Sequence, residues 1–128
     1  QFGFSAYPEV NRAWESPSAS IKDDPVTHSS TRGRITYASP GVANSRSTQL
    51  FISYKDNSYL DKVLGDFGAF GEVTSGMEAV DKINHEYGEI DQTKVANGGK
   101  AYLEKNYPNV TFIKSATLLD AAPAAAKP

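Results

Sequence analysis

Few residues in this chain combine type and spacing in a way that could do chemistry. Gln49, Phe51 and Ser53 alternate through the stretch STQLFISY at 47–54. Residues two apart share one face of a strand, so an amide, a ring and a hydroxyl point one way while Leu50, Ile52 and Tyr54 point the other. With the second face in a core, the first presents an apolar wall beside a placed polar group, which is the make-up of a binding groove. Spacing alone leaves a second reading open, in which Gln49 lies on a solvent face and Phe51 covers a loop.

Other chemistries find less support. His28 and His85 fall in a loop and in a helical stretch, with no carboxylate at ligand spacing. Asp23 and Asp24 lack the alternating oxygens of a calcium loop and read as a turn before Pro25. The glycines at 65, 68 and 71 do not make a dinucleotide fingerprint, and no helix opens directly after them. Cysteine is absent, so there is no thiolate nucleophile, disulfide framework or thiolate zinc site. No serine has a histidine and an acid arranged around it as a triad. Asn109-Val110-Thr111 is a glycosylation sequon, but it enters a predicted strand. No metal and no cofactor is expected.

The elements that must position Gln49 and Phe51 come next. The chain has 128 residues, 39% hydrophobic and 22% charged, with a net charge of −2. That is one globular domain with a real core. Without a basic block it is a poor nucleic-acid partner, and no apolar run is long enough for a membrane span. Composition does not fix the compartment. The stretch 7–14 suggests a helical turn with Pro8 near its start, and 15–33 reads as loop. Period-2 alternation predicts strands at 34–38, 49–54 and 67–73. The clearest helix spans 75–88, with Ser75 as N-cap, Met77, Val80, Ile83 and Tyr87 on one face, and Gly88 as stop. The stretch 91–99 reads as loop, 100–108 as a short helix, and 110–119 as a final strand. This predicts a domain over 1–119, mainly antiparallel β, followed by an Ala/Pro-rich tail at 120–128.

The run RGRITYASPGVANSRSTQLFISYKDNSYLD, followed by FGAFGEVTSGMEAVDKI, resembles the cyclophilin family of peptidyl-prolyl cis–trans isomerases. QFGFSAYPE near the start and YGE…GGKAYLEKNYPNVTFIKSA near the end are similar to its bacterial, plant and algal branch. The likeness covers residues 1–117. It implies a closed antiparallel β-barrel with capping helices, and a groove outside the barrel that takes a proline ring in an apolar pocket. It further implies substrate-binding roles residue by residue. Gln1 and Gln49 match the groove amides, and Ala38 and Ser39 the backbone-binding segment, where the family usually has Ala-Asn or Ala-Thr. Phe51 and Leu60 match the pocket wall. Tyr59 stands where many members have tryptophan, and Phe67 where some have histidine. The implied partners are proline-containing peptide or protein segments.

This chain departs from the family pattern in three places. The loop 39–44 is one residue longer than usual, and 62–69 is longer than in the shortest members. The family's catalytic arginine belongs to an Arg-(two apolar)-Pro-Gly-Phe run upstream of the position matched by Gln1, and Arg12, Arg32, Arg34 and Arg46 do not match it. The resemblance therefore implies a barrel without its first strands and first helix, left with an open sheet edge. The expected function is a peptidyl-prolyl isomerase whose residues 1–128 are inactive by themselves. The alternative is a non-catalytic, cyclophilin-like structural subunit of a larger assembly.

Overall fold

The computed structural model describes residues 1–63 and 67–120. At its centre lies a three-stranded antiparallel sheet of β1 (Arg34–Tyr37), β2 (Leu50–Ile52) and β3 (Ala69–Glu72), in the order β2-β1-β3. β1 is rich in β-branched and aromatic side chains, which suit a pleated, half-buried surface. It pairs Ile35 with Ile52, Thr36 with Phe51 and Tyr37 with Leu50. On its other side Arg34 faces Glu72, and Ile35 faces Gly71. A bulge between Ile35 and Thr36 shifts the register so that Thr36 meets Ala69. The Arg34–Glu72 pair is also an ion pair at 3.2 Å.

Cross-strand partners share a face, so Thr36, Phe51 and Ala69 look the same way, together with Ser53. That is the buried side: Thr36 and Ser53 are fully covered, and Ala69 and Phe67 nearly so. The structure does not take the reading with Leu50, Ile52 and Tyr54 in a core. Leu50 and Ile52 are half-buried and Tyr54 is exposed. The covering material, Ser30 and Phe67, arrives from loops on the Phe51 side.

Among the described residues three helices accompany the sheet, α1 (Pro8–Ala13), α2 (Met77–Asp81) and α3 (Gln92–Asn106), and α1 packs on α3. Pro8 opens α1, where its missing N–H costs nothing. The expected helix over 75–88 shortens to α2. Gly76, not Ser75, is its N-cap, because that position takes φ 85° and makes no side-chain cap. Arg32 grips Asp81 through two bonds, 3.0 and 2.7 Å, and Tyr54 Oη donates to the Val80 carbonyl at 3.1 Å, tying α2 to the sheet. The predicted loop 91–99 is helical over 92–98. Asp91 caps α3 by accepting from the Lys94 N–H at 3.1 Å, and two helical segments meet at Gly99.

The expected mainly-β cyclophilin barrel is not the fold. The architecture is a small mixed α/β arrangement with an open sheet. Its strands have four, three and four residues, against helices of six, five and fifteen. A barrel closes only when enough strands share a consistent tilt and stagger, and the three short strands among the described residues cannot complete a ring. The expected last strand, 110–119, forms no ladder: its residues are coil, and Leu118 is 98% exposed. Alternating side chains make a strand only where a neighbouring edge accepts its backbone. The sequon at Asn109 lies in this non-strand region, where Asn109 Nδ2 donates to Glu86 at 3.0 Å. No helix among the described residues is long and apolar enough to cross a membrane. Of the predicted tail, 121–128 lies outside the described residues.

Candidate functional site

The segment before α1 runs along the free side of β2. Phe2 and Leu50 exchange two backbone hydrogen bonds, each 2.9 Å. In this register Gln1 falls opposite Phe51 and Gly3 opposite Gln49, on one face. The amides of Gln1 and Gln49 meet there: Gln1 Nε2 donates to Gln49 Oε1 at 2.5 Å. Gly3 permits this approach. Its φ is 129°, and a Cβ there would stand 2.3 Å from the Thr48 carbonyl oxygen and 2.7 Å from Gln49 Cα. From the other side, the Ala38 N–H donates to the Gln49 carbonyl at 2.9 Å. The Gln49 backbone is thus fixed, while its side chain is left to Gln1.

Phe51 meets Phe67, with ring centroids 6.4 Å apart. Phe67 lies in a loop, so something other than a ladder must hold it. Ser30, with no exposure, donates to the Phe67 carbonyl at 2.8 Å and shares a 2.9 Å bond with the buried Thr36 hydroxyl. The neighbouring Ser29 donates to Asp61, and the Asn57 N–H donates to the Ser30 carbonyl at 3.0 Å. These bonds suspend the 3-10 turn Ser58–Lys62, which carries Tyr59 and Leu60. Two adjacent serines therefore position two separate stretches of the candidate pocket. Sequence reading placed them in a Ser-rich loop and missed them; the only signal was HSST directly before a strand.

Replacing Ser30 by alanine strands the buried Thr36 hydroxyl and the Phe67 carbonyl. The expected loss is about 2 kcal/mol of unfolding free energy, read as a lower urea midpoint at unchanged slope. A loss within measurement error would show that Phe67 is held by packing alone.

The other predicted residues are less tightly grouped. Leu60 is half-buried, but Tyr59 is 67% exposed and stands clear of the buried cluster. Ser39 turns into its own loop, bonded to Ser45 Oγ at 3.2 Å and to the Gly41 N–H at 3.2 Å. A cavity of about 360 Å³ opens beside Gln49, between Gly3, Val10, Trp14, Glu15 and Thr48. Gln49 alone among the predicted site residues lines it. The arrangement of amide pair and aromatic pair, with backbone groups alongside, can grip an extended peptide and hold an apolar ring. No cluster of three or more histidines, cysteines or acids that could hold a metal exists among the described residues.

Three of the four arginines are held by carboxylates: Arg32 by Asp81, Arg34 by Glu72, and Arg46 by Asp23 and Asp24. Arg46 is 3% exposed and also lies over the Tyr37 ring, 5.6 Å from its centroid.

Comparison with known proteins speaks at the level of family. The family described as cyclophilin type peptidyl-prolyl cis-trans isomerase/CLD matches residues 4–112. Peptidyl-prolyl cis-trans isomerase A of Dickeya dadantii is 44% identical over 55 residues, covering 41% of this chain and 29% of the relative. A peptidyl-prolyl cis-trans isomerase of Acinetobacter baylyi is 35% identical over 78 residues, covering 59% of this chain and 42% of the relative. The chain thus spans less than half the length of these curated relatives. No solved structure matches it. A family match that runs through all three strands and the Gln49–Phe51 face, and on into the coil after α3, leaves one assignment: the chain belongs to the cyclophilin-type peptidyl-prolyl cis–trans isomerase family.

Proposed function

We propose that this chain binds proline-containing peptide segments, and that the whole protein is a peptidyl-prolyl isomerase. The observation that carries the reading is the meeting of Gln1 with Gln49 on the face that also bears Phe51. In this reading the two amides hold the peptide backbone, with Ala38 and Ser39 beside them. Phe51, Leu60 and Phe67 wall the pocket for the proline ring, and Tyr59 lies at its rim.

The chemistry asked of such a site is modest. Resonance makes the peptide bond partly double, and for an X–Pro bond the two isomers interconvert over tens of seconds or more. No covalent step is needed. The site must bind the twisted amide more tightly than either planar form. Once resonance breaks, the proline nitrogen becomes basic, and a placed donor stabilises it. The arginine that the family uses for this has no counterpart among residues 1–128. The pocket and the amides anchor one side of the bond while the other rotates.

A second reading, a non-catalytic cyclophilin-like subunit of a larger assembly, is favoured by the ion pairs that engage Arg32, Arg34 and Arg46.

Titrating residues 1–128 with an Ala-Pro peptide separates binding from turnover. Saturable binding is expected, weakened about five-fold by Gln49→Ala, the equivalent of one net hydrogen bond. In a cis-to-trans assay the same chain should leave the uncatalysed rate unchanged. Absence of binding would remove the peptide-site reading, and robust turnover would show that no arginine is needed.

A further inference from the structure

We propose that Asn11 and Gly99 are positioning residues for the Gln1–Gln49 amide pair, acting through the strap of residues 1–6 that they clamp onto α3. The proposal rests on the peptide-binding reading of that pair.

Asn11 lies in α1 and is only 9% exposed. Its side chain is fully used. Nδ2 donates to the Ser5 carbonyl and to the Ala96 carbonyl of α3, both at 3.1 Å, and Oδ1 accepts from the Ser5 N–H at 2.7 Å. One amide thus fastens the strap, α1 and α3 to each other. A buried amide with all its donors spent is held in one orientation, because any rotation leaves buried groups unpaired.

Gly99 supplies the second fastening. Its backbone, φ 57° and ψ −147°, lies in a region that only glycine occupies freely. A Cβ there would stand 2.4 Å from the Ala6 carbonyl oxygen and 2.8 Å from Pro8 Cδ. The break it makes in α3 turns the Lys100 N–H outward to the Ala6 carbonyl, at 3.0 Å. α3 therefore holds both Ser5, through Asn11, and Ala6, directly.

The far end of the strap is the site itself. Phe2 is laddered to Leu50, Gly3 presses on Thr48, and Gln1 reaches Gln49. Only Phe2, Gly3 and Phe4 separate Gln1 from the clamped Ser5–Ala6 pair. Over so short a span, freeing one end lets the other fray, because an isolated pair of ladder bonds is weak without neighbours. Neither Asn11 nor Gly99 is assigned any contact with peptide in this scheme; they set where the Gln1 amide stands.

The test uses Asn11→Ala and Gly99→Ala in the 128-residue chain, each checked for folding by circular dichroism. In both, amide exchange at Phe2 and Leu50 should accelerate ten-fold or more, and the Gln1 and Gln49 side-chain NH₂ resonances should move toward free-amide positions. Affinity for the Ala-Pro peptide should fall about five-fold. In a Gln49→Ala background the further loss should be less than two-fold, because the element being positioned is gone. Unchanged exchange and amide resonances, or a full further loss of affinity in that background, overturns the proposal. If neither variant folds, exchange in the unaltered chain decides: Phe2, Leu50 and Lys100 should open together on warming, and independent opening overturns it. Absence of peptide binding by the unaltered chain would refute the peptide reading instead, while the exchange and NH₂ measurements still decide the clamp.

Discussion

Replacing Arg46 by alanine is expected to lower the unfolding free energy by about 3 kcal/mol, near the lower end of what breaking a buried ion pair costs. Arg46 is 3% exposed, and its guanidinium organises a whole corner. It donates to the Lys22 carbonyl, reaches Asp24 at 3.1 Å and Asp23 at 3.7 Å, and covers the Tyr37 ring. Its own carbonyl accepts from the Ile21 N–H at 2.9 Å, so the same residue also holds that corner by backbone. Asp24 is largely in solvent, but Asp23 is mostly covered, its side chain 25% exposed. Removing the cation leaves the Asp23 carboxylate near an emptied, low-dielectric space, and β1 loses the cover over Tyr37. Arg46→Lys should recover only part of the loss, because a point charge cannot replace a planar group that bonds the Lys22 carbonyl and Asp24 and covers a ring. Guanidinium unfolding followed by Trp14 fluorescence measures both variants. A cost below 1 kcal/mol for Arg46→Ala would place the pair among solvent-screened surface bridges.

Phe51→Ala should reduce affinity for a proline-containing peptide by about thirty-fold, the effect of losing a central aromatic contact at an interface. Phe51 is half-buried, paired across the strand with the fully buried Thr36 and facing Phe67 at 6.4 Å. Truncation removes the wall against which a proline ring would pack and leaves Phe67 without its partner. Phe51→Leu keeps most of the apolar volume and should lose less. Peptide titration by fluorescence anisotropy reads the affinity, and near-ultraviolet circular dichroism shows whether the remaining aromatic packing survives. A loss under three-fold in a folded Phe51→Ala protein would make Phe51 a packing residue, and the groove would have to lie elsewhere on the sheet.

Some of this was legible in the residues alone. The alternation in RITY and LFI, flanked by glycine, proline, asparagine and serine, marks strands because side-chain period and turn chemistry are local properties of the backbone. Pro8 marks the start of α1 for the same reason. The two-residue spacing of Gln49 and Phe51 puts them on one face wherever the strand goes, and the ordered series of motifs through 33–77 is enough to carry the family.

Tertiary contact decided the rest. The stretch VANG at 95–98 has little helix propensity, yet it is helical in α3, where Asp91 caps the first turn and Asn11 ties Ala96 to the strap; the helix breaks at Gly99, which takes a conformation that a regular helix forbids. The stretch 110–119 has the alternation of a strand and is coil, because a strand exists only where an edge receives it. Barrel closure fails on the same ground: it is a property of the ring of strands and is written into no single one of them. The burial of Ser30, Thr36 and Ser53 likewise depends on what is folded against them, since a hydroxyl is indifferent to the interior only once its bonds are made there. Residue type and spacing thus determined which groups could grip a peptide. Which groups hold them in place depended on long-range pairing, because a hydrogen bond between residues far apart in the chain leaves no periodic mark on either.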